Sequence, residues 1–217
     1  MANNRRCFLK TCGLATLLGI NFSTTQELSA NGLIGKEKSF YCGNRNREPI
    51  ANAALSKDKW SREHLRYFIA ARDDDLKEEI WDKEFKLAFD AWSDVTPLTF
   101  EQVESKDEFD IIISVGWKRR ESFGKSGGIL AWAQMPQTRN FDGILLSKFD
   151  TAENWILPDS EEDGMILRSV ACHEIGHLLG LGHSDDKGAL MYPYINNALK
   201  PMDDDIKRIQ RLYGKQE

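Results

Sequence analysis

Histidine, long apolar runs and basic clusters are all scarce in this sequence of 217 residues, which contains only four histidines. No apolar run reaches the about 18 residues that span a bilayer, so we predict no stable membrane span once an N-terminal signal is removed. The formal net charge is −5, and no basic block follows the first ten residues, which argues against nucleic acid as a partner. The length and the 41% hydrophobic content suffice for one domain with a core, and we expect a monomer.

The first thirty residues are predicted to be an export signal, 1–30, rather than part of the fold. Arg5 and Arg6 precede a Phe-Leu-Lys triplet and a weakly apolar stretch at 13–20. This pattern resembles a bacterial twin-arginine export signal, with an ordinary secretory signal as the alternative. Both interpretations predict an exported protein, periplasmic or extracellular.

Cysteine is also rare, with four in the chain. Removal of the signal near Ala30 would take Cys7 and Cys12 with it. Cys42 and Cys172 would then be the only cysteines of the mature protein.

Hydrophobic periodicity predicts an α+β domain at 59–217, preceded by a polar pro-segment or linker at 31–58. The predicted order is strand, helix, strands, helix, helix. The predicted strands are HLRYFIAA (64–71), FDIIISVG (109–116), GGILAWAQM (127–135) and DGILLS (142–147). The predicted helices run from a cap at Asp75 to about Ser93, over 164–180 with Gly180 as the stop, and over 202–214.

Three of the four histidines fall in the stretch HEIGHLLGLGH, from His173 to His183. His173 and His177 are four residues apart, so both project from one face of a helix and can reach one tetrahedral cation. A glycine at 180 lets the chain leave the helix and return His183 as a third ligand. Three imidazoles leave the fourth coordination position for water, which is typical of catalytic zinc. Glu174 lies where it can reach that water without binding the metal.

Coincidence is a poor explanation of this spacing. Five fixed residue types at these positions occur by chance at on the order of 10⁻⁷ per position. The alternative of core or surface histidines on an ordinary helix is therefore disfavoured.

The chain resembles the matrixins, the matrix-metalloproteinase branch of the metzincin zinc endopeptidases, over roughly residues 59–214. The extended histidine motif, Ser184 directly after it, and the stretch ALMYPYI carry the resemblance. It implies a metzincin zincin-like catalytic domain: a mixed twisted sheet, an active-site helix, a second helix and a C-terminal helix. It also implies that Met191 forms the hydrophobic floor beneath the zinc and that Pro193 and Tyr194 form the wall of a specificity pocket.

The resemblance implies a secreted zinc endopeptidase that cleaves internal bonds of extended protein segments. Zinc would activate water, and Glu174 would act as the general base. The strand at 129–133 would border the cleft, where a protein or peptide substrate pairs as an additional strand. The alternatives are a catalytically inactive metzincin that binds a peptide or partner, and a cell-wall peptide amidase. Glu174 favours an enzyme, because a binding protein has no use for a general base.

The sequence departs from the family at its other metal sites. Where the family carries two histidine ligands of a structural zinc, this chain has Trp132 and Lys148, so we predict one catalytic zinc and no structural zinc. Asp150 and Glu153 match two family calcium ligands. Two carboxylates could hold calcium weakly, but we favour a capped turn or a surface ion pair.

Cys42 lies in the stretch YCGN, which keeps the Cys-Gly pair of the matrixin pro-segment. In matrixin zymogens that thiolate is the fourth zinc ligand, which predicts the same role for Cys42. The alternatives are a pro-segment cysteine without a metal role and a disulfide with Cys172.

Overall fold

A computed structural model describes residues 42–43, 57–104, 108–116, 123 and 128–216 of the chain. All of them belong to one compact unit that spans Glu37–Glu217. The predicted export signal and most of the predicted pro-segment lie outside the described residues. None of the described helices is long and apolar enough to cross a bilayer.

The domain is built on a five-stranded mixed sheet in which one edge strand is antiparallel to its neighbour. Its strands are β1 (His64–Ile69), β2 (Thr99–Gln102), β3 (Ile111–Gly116), β4 (Ala131–Ala133) and β5 (Leu145–Asp150). They are arranged in the order β2-β1-β3-β5-β4, and only β4 is antiparallel to its neighbour. A small parallel pair, β6 (Trp155–Ile156) and β7 (Met165–Ile166), follows β5 in the chain.

Three helices complete the described part of the domain: α1 (Glu78–Ser93), α2 (Leu167–Leu178) and α3 (Asp203–Tyr213). The predicted α+β class and the order strand, helix, strands, helix, helix are confirmed. The apolar stripe of α1 is buried, and it consists of Trp81, Phe85, Ala88, Phe89 and Trp92.

Two predicted helix starts were wrong, and both for tertiary reasons. Helix α1 begins at Glu78, because the carboxylate of Asp75 does not cap it and instead accepts the backbone N–H of Trp155 at 3.1 Å. Helix α2 begins at Leu167 rather than 164, because Met165 and Ile166 pair as β7. The edge strand β2 was missed altogether, since its four residues are mostly exposed and lack a buried pattern.

Helices α1 and α2 are fastened together by polar contacts as well as by the core. Arg168 on α2 makes a two-pronged ion pair with buried Glu84 on α1, at 2.7 and 3.0 Å. The indole N–H of Trp92 donates to the carbonyl of Cys172 at 2.9 Å. Such satisfied buried polar groups fix the rotation of α2 relative to α1.

The last carbonyls of α2 are satisfied from both ends of the domain. The indole N–H of Trp60 donates to Leu178 O at 2.8 Å, and the hydroxyl of Tyr213 donates to Leu179 O at 2.9 Å. Gly180 follows with φ of +98°, and a Cβ at this residue would lie 2.5 Å from Asp58 O. Only glycine fits there, so the chain turns sharply away from α2 as predicted from the sequence.

Candidate metal centre

The turn at Gly180 brings the third histidine back beside the other two. The ring centroids of His173 and His177 are 4.9 Å apart, and His183 lies 5.5 and 4.8 Å from them. One possible ligand atom from each ring, together with the thiol of Cys42, falls in a group whose members all lie within 4.8 Å of one another. It is the one such histidine-rich group among the described residues.

Hydrogen bonds fix the orientation of two of the three histidine rings. The Nδ1 of His173 faces Leu190 O at 2.7 Å, and the Nδ1 of His177 faces Leu181 O at 2.7 Å. Because a carbonyl only accepts, each Nδ1 carries the proton and each Nε2 keeps its lone pair. The Nε2 atoms of His173 and His183 are buried and have no hydrogen-bond partner among the described residues. A cation that bonds to these nitrogens would satisfy them.

Burial keeps the three imidazoles neutral. It lowers the pKa of His173 to about 3 and that of His183 to about 4, and it holds the pKa of His177 well below the usual range. The neighbouring histidines add to the shift at His173 and His177, and Arg208 adds to it at His177 and His183. Neutral imidazole is the form that binds metal ions, so the donor set suits zinc.

Glu174 lies on the same helix and is also buried, at 1% exposure. Burial raises the pKa of its carboxyl group to about 8, and the nearby Cys42 thiol opposes that shift. Neither carboxylate oxygen makes a hydrogen bond to a described residue with good geometry. A buried carboxylate beside a cation site, without a structural partner, is suited to proton transfer.

The Cys-Gly pair lies in the cleft. The Sγ of Cys42 is 3.4 Å from Nε2 of His177, and its backbone N–H donates to Pro193 O at 3.2 Å. Gly43 packs so closely on the edge strand that a Cβ there would lie 2.8 Å from Ile129 and 3.0 Å from Trp132. The two residues therefore bridge the edge strand and the Pro193 segment.

Cys172 is not joined to Cys42 in a disulfide. It is buried in the core, where its thiol lies 3.8 Å from Ala88 O on α1. Burial raises the pKa of this thiol above its usual range. Cys172 is thus a small core residue and takes no part in the cluster.

Met191 lies directly beneath the histidine helix. A Cβ at Gly176 on α2 would overlap the Met191 sulfur and would lie 2.9 Å from Trp92. Glycine at 176 therefore lets the methionine approach the helix between the two histidines. Met191 is fully buried, and its role as the floor beneath a zinc ion stays a prediction.

Asp205 holds the segment that carries Met191, and sequence reasoning missed it. Its buried carboxylate accepts the N–H groups of Leu190 and Met191, at 2.7 and 3.1 Å. It also accepts the N–H of Met202 at 2.9 Å, before the start of α3. The sequence shows only three aspartates at a helix start, which indicates a favourable helix dipole but not a bond to a segment fourteen residues away.

We expect Asp205→Ala to lower the free energy of unfolding by about 3 kcal/mol, because three buried N–H groups lose their acceptor. Asp203→Ala, in the same helical turn but exposed, should lower it by about 0.5 kcal/mol. Urea unfolding of the two metal-free variants measures the difference. Equal stabilities would show that Asp205 does not hold the Met191 segment.

The other predicted site residues are spread around the cleft and the sheet. Pro193 accepts the Cys42 N–H, and Tyr194 is half-buried with its ring 5.7 Å from that of Tyr192. Their role as a pocket wall stays a prediction.

The residues at the family's other metal positions lie on and after the last two sheet strands. Trp132 on β4 and Lys148 on β5 are register partners. Asp150 is the last residue of β5 and Glu153 lies in the turn after it; both are buried, and Asp150 Oδ1 accepts the N–H of Ala152 at 3.0 Å. This capping contact agrees with the favoured interpretation, while the absence of a structural zinc and the weakness of calcium binding stay predictions.

His64, the remaining histidine, is not part of the histidine cluster. It is exposed on β1, and its ring contacts Thr99 and Glu101 on β2 at 3.0 and 3.4 Å. It therefore contributes to the sheet surface.

The fold and the site together define a class: an α+β domain in which one helix and the loop after it present three neutral imidazoles and a glutamate. The family model described as matrixin matches residues 59–214. The chain belongs to the matrixin family.

Three relatives illustrate the match. Matrix metalloproteinase-16 of Homo sapiens is 36% identical over 174 residues, which are 74% of this chain and 28% of that protein. Matrix metalloproteinase-C of Caenorhabditis elegans is 34% identical over 189 residues, 80% of this chain and 32% of that protein. Metalloendoproteinase 1-MMP of Arabidopsis thaliana is 37% identical over 172 residues, 73% of this chain and 45% of that protein. The match thus spans less than half the length of these relatives.

Proposed function

We propose that this chain is an exported zinc endopeptidase that is made as a latent precursor. The observation that carries the proposal is the convergence of His173, His177 and His183, with their nitrogens neutral and buried, beside the buried carboxylate of Glu174. Membership of the matrixin family supports the same reaction class.

The three histidines would hold one zinc ion through their Nε2 atoms. A zinc ion with three imidazole ligands supplies Lewis acidity, which lowers the pKa of water and polarises a carbonyl group. The hydrogen bonds of His173 and His177 to Leu190 O and Leu181 O keep these rings in the tautomer that binds metal.

Glu174 would take a proton from the attacking water and pass it to the amine that leaves. Its carboxylate is well suited to this task, because apart from the nearby Cys42 thiol no described group engages its oxygens in a hydrogen bond. The ionised form, disfavoured by burial, would be restored by the charge of the bound cation.

The substrate would be an extended segment of a protein or peptide. Strand β4 is three residues long and is the last strand of the sheet among the described residues, and Gly43 packs against it. A substrate that pairs with this edge would place one peptide bond at the histidine cluster. This arrangement favours cleavage of internal bonds in unfolded or loop segments.

Latency would come from Cys42. Its Sγ lies 3.4 Å from His177 Nε2, so the thiolate would serve as a fourth zinc ligand in place of water. Cleavage between Gly43 and the start of the matrixin match at residue 59 would remove the thiolate. We therefore propose a signal at 1–30, a pro-segment at 31–58 and a catalytic domain at 59–217. The paired Arg5 and Arg6 support export of the precursor.

Metal analysis of the purified full chain tests the donor set. We expect one equivalent of tightly bound zinc, and His177→Ala should lose it, because two imidazoles and a thiol hold zinc far more weakly than the complete set. His64→Ala is the matched control and should keep the full equivalent. Two tightly bound zinc ions, none at all, or zinc retained by His177→Ala would contradict the proposal.

A further inference from the structure

His183 is the one histidine of the cluster whose ring has no carbonyl partner among the described residues. His173 and His177 each direct Nδ1 at a backbone carbonyl 2.7 Å away, whereas His183 makes no such hydrogen bond to a described residue. His183 also lies in a loop, beyond the end of α2. Its position must therefore be set through the backbone on either side of it.

Side chains of helix α3 form hydrogen bonds with the residue before His183 and with the residue after it. Before His183, the guanidinium of Arg208 donates from Nη2 to Gly182 O at 2.7 Å. After His183, the hydroxyl of Ser184 donates to Asp204 at 2.7 Å, and the Ser184 N–H donates to Met191 O at 2.8 Å. Arg208 and Asp204 face each other at 3.7 Å, so the two contacts are linked on α3.

The hydrogen bond from Arg208 to Gly182 lies in a largely buried environment. The side chain of Arg208 is only 10% exposed, so its charge is held close to the site instead of lying in solvent. Ser184 is buried as well, at 6% exposure. Here Nη2 of the guanidinium donates to Gly182 O, while Nη1 is buried, lies 3.7 Å from the Asp204 carboxylate and makes no hydrogen bond to a described residue.

We infer that Arg208 and Asp204 are positioning residues for His183, and that their grip on Gly182 and Ser184 sets the zinc affinity of the site. The inference rests on the proposed zinc centre. A third ligand fixed in place before metal binds costs less free energy to order when zinc arrives, so the affinity rises. Outer contacts of this kind typically contribute about 10- to 100-fold to metal affinity.

Removal of the Arg208 side chain has two effects that would change the zinc affinity in opposite directions. A cation next to the metal repels it, so loss of charge alone would tighten zinc binding. Loss of the grip on Gly182 would weaken binding. The sign of the change therefore shows which effect dominates, and we expect the grip to dominate, because Asp204 lies beside the guanidinium and offsets its charge.

Competition with a chromogenic chelator, with zinc alone as the probe, measures the dissociation constant of the full chain and its variants. We expect R208M to weaken zinc binding by about 10- to 100-fold. R208K keeps the charge but not the fork, and it should weaken binding by a smaller factor. S184A should also weaken binding, through the other side of the loop. R211M, which removes an exposed arginine from the same helix, is the matched control and should bind zinc as the wild type does.

A cobalt-substituted sample supplies a second readout, because the visible absorption of cobalt reports the ligand geometry. We expect R208M to change that spectrum and R211M to leave it unchanged. If R208M does not fold, R208K and S184A carry the test. Dissociation constants within about twofold of wild type for R208M, or for R208K and S184A together, would overturn the inference, as would tighter binding by R208M. Absence of zinc binding by the wild type would instead overturn the proposed function itself.

Discussion

Glu174→Gln should abolish cleavage while leaving the zinc and the fold in place. Glutamine keeps the shape of the side chain but cannot accept a proton from water, so the catalytic step loses its general base. We expect the turnover of an activated chain to fall by about 10²- to 10⁴-fold or more. The rate of hydrolysis of an internally quenched peptide, measured with the zinc content of the same sample, checks this.

Two controls make the Glu174 result specific. Glu161→Gln replaces an exposed carboxylate in the loop between β6 and β7 and should retain wild-type turnover. The thermal unfolding of zinc-loaded Glu174→Gln should stay close to that of the wild type, because the substitution keeps the shape of the side chain and removes no hydrogen bond to the helices or the sheet. Cleavage by Glu174→Gln at near the wild-type rate would refute the proposed mechanism.

Cys42→Ser should make the uncut chain active. In the wild type, the thiolate would compete with water for the fourth position on zinc, and a hydroxyl is a far poorer ligand than a thiolate. We expect the activity of the uncut Cys42→Ser chain to exceed that of the uncut wild type by about tenfold or more. Peptide hydrolysis by chains that begin near Asn31, with intactness verified by mass spectrometry, measures it.

Cys172→Ser is the matched control for latency. It removes the other buried cysteine, which lies against α1 and not at the histidine cluster, so the uncut variant should remain inactive. Removal of residues up to about Lys57 should activate the wild type and both cysteine variants to similar levels. Equal activity of uncut wild type and uncut Cys42→Ser would contradict a role for Cys42 in latency.

The contacts that depend on nearby residues in the chain could be predicted from the sequence. The four-residue spacing of His173 and His177 fixes their common face on any helix, and Gly180 marks the turn that returns His183. The apolar stripe of α1 follows from helical periodicity in the same way.

The contacts that join distant segments could not be predicted in this way. The bonds of Asp205 to Leu190 and Met191, and that of Arg208 to Gly182, depend on where α3 packs after the whole sheet has formed. Asp75 is a further example, because its carboxylate does not cap α1 and instead accepts a hydrogen bond from Trp155, eighty residues later in the chain. Local propensity is a weak guide wherever tertiary contacts compete for the same side chain.

We propose that one zinc ion, held by His173, His177 and His183, makes this chain an endopeptidase. The most direct measurement is a zinc titration of the activated chain after complete removal of metal, with hydrolysis of internally quenched peptides as the readout and mass spectrometry of the products. We predict no hydrolysis without metal, a linear rise with added zinc, a plateau at one equivalent, and products cut at internal bonds. Full activity without metal, a plateau at two equivalents, or no peptide hydrolysis at any zinc level would contradict the claim.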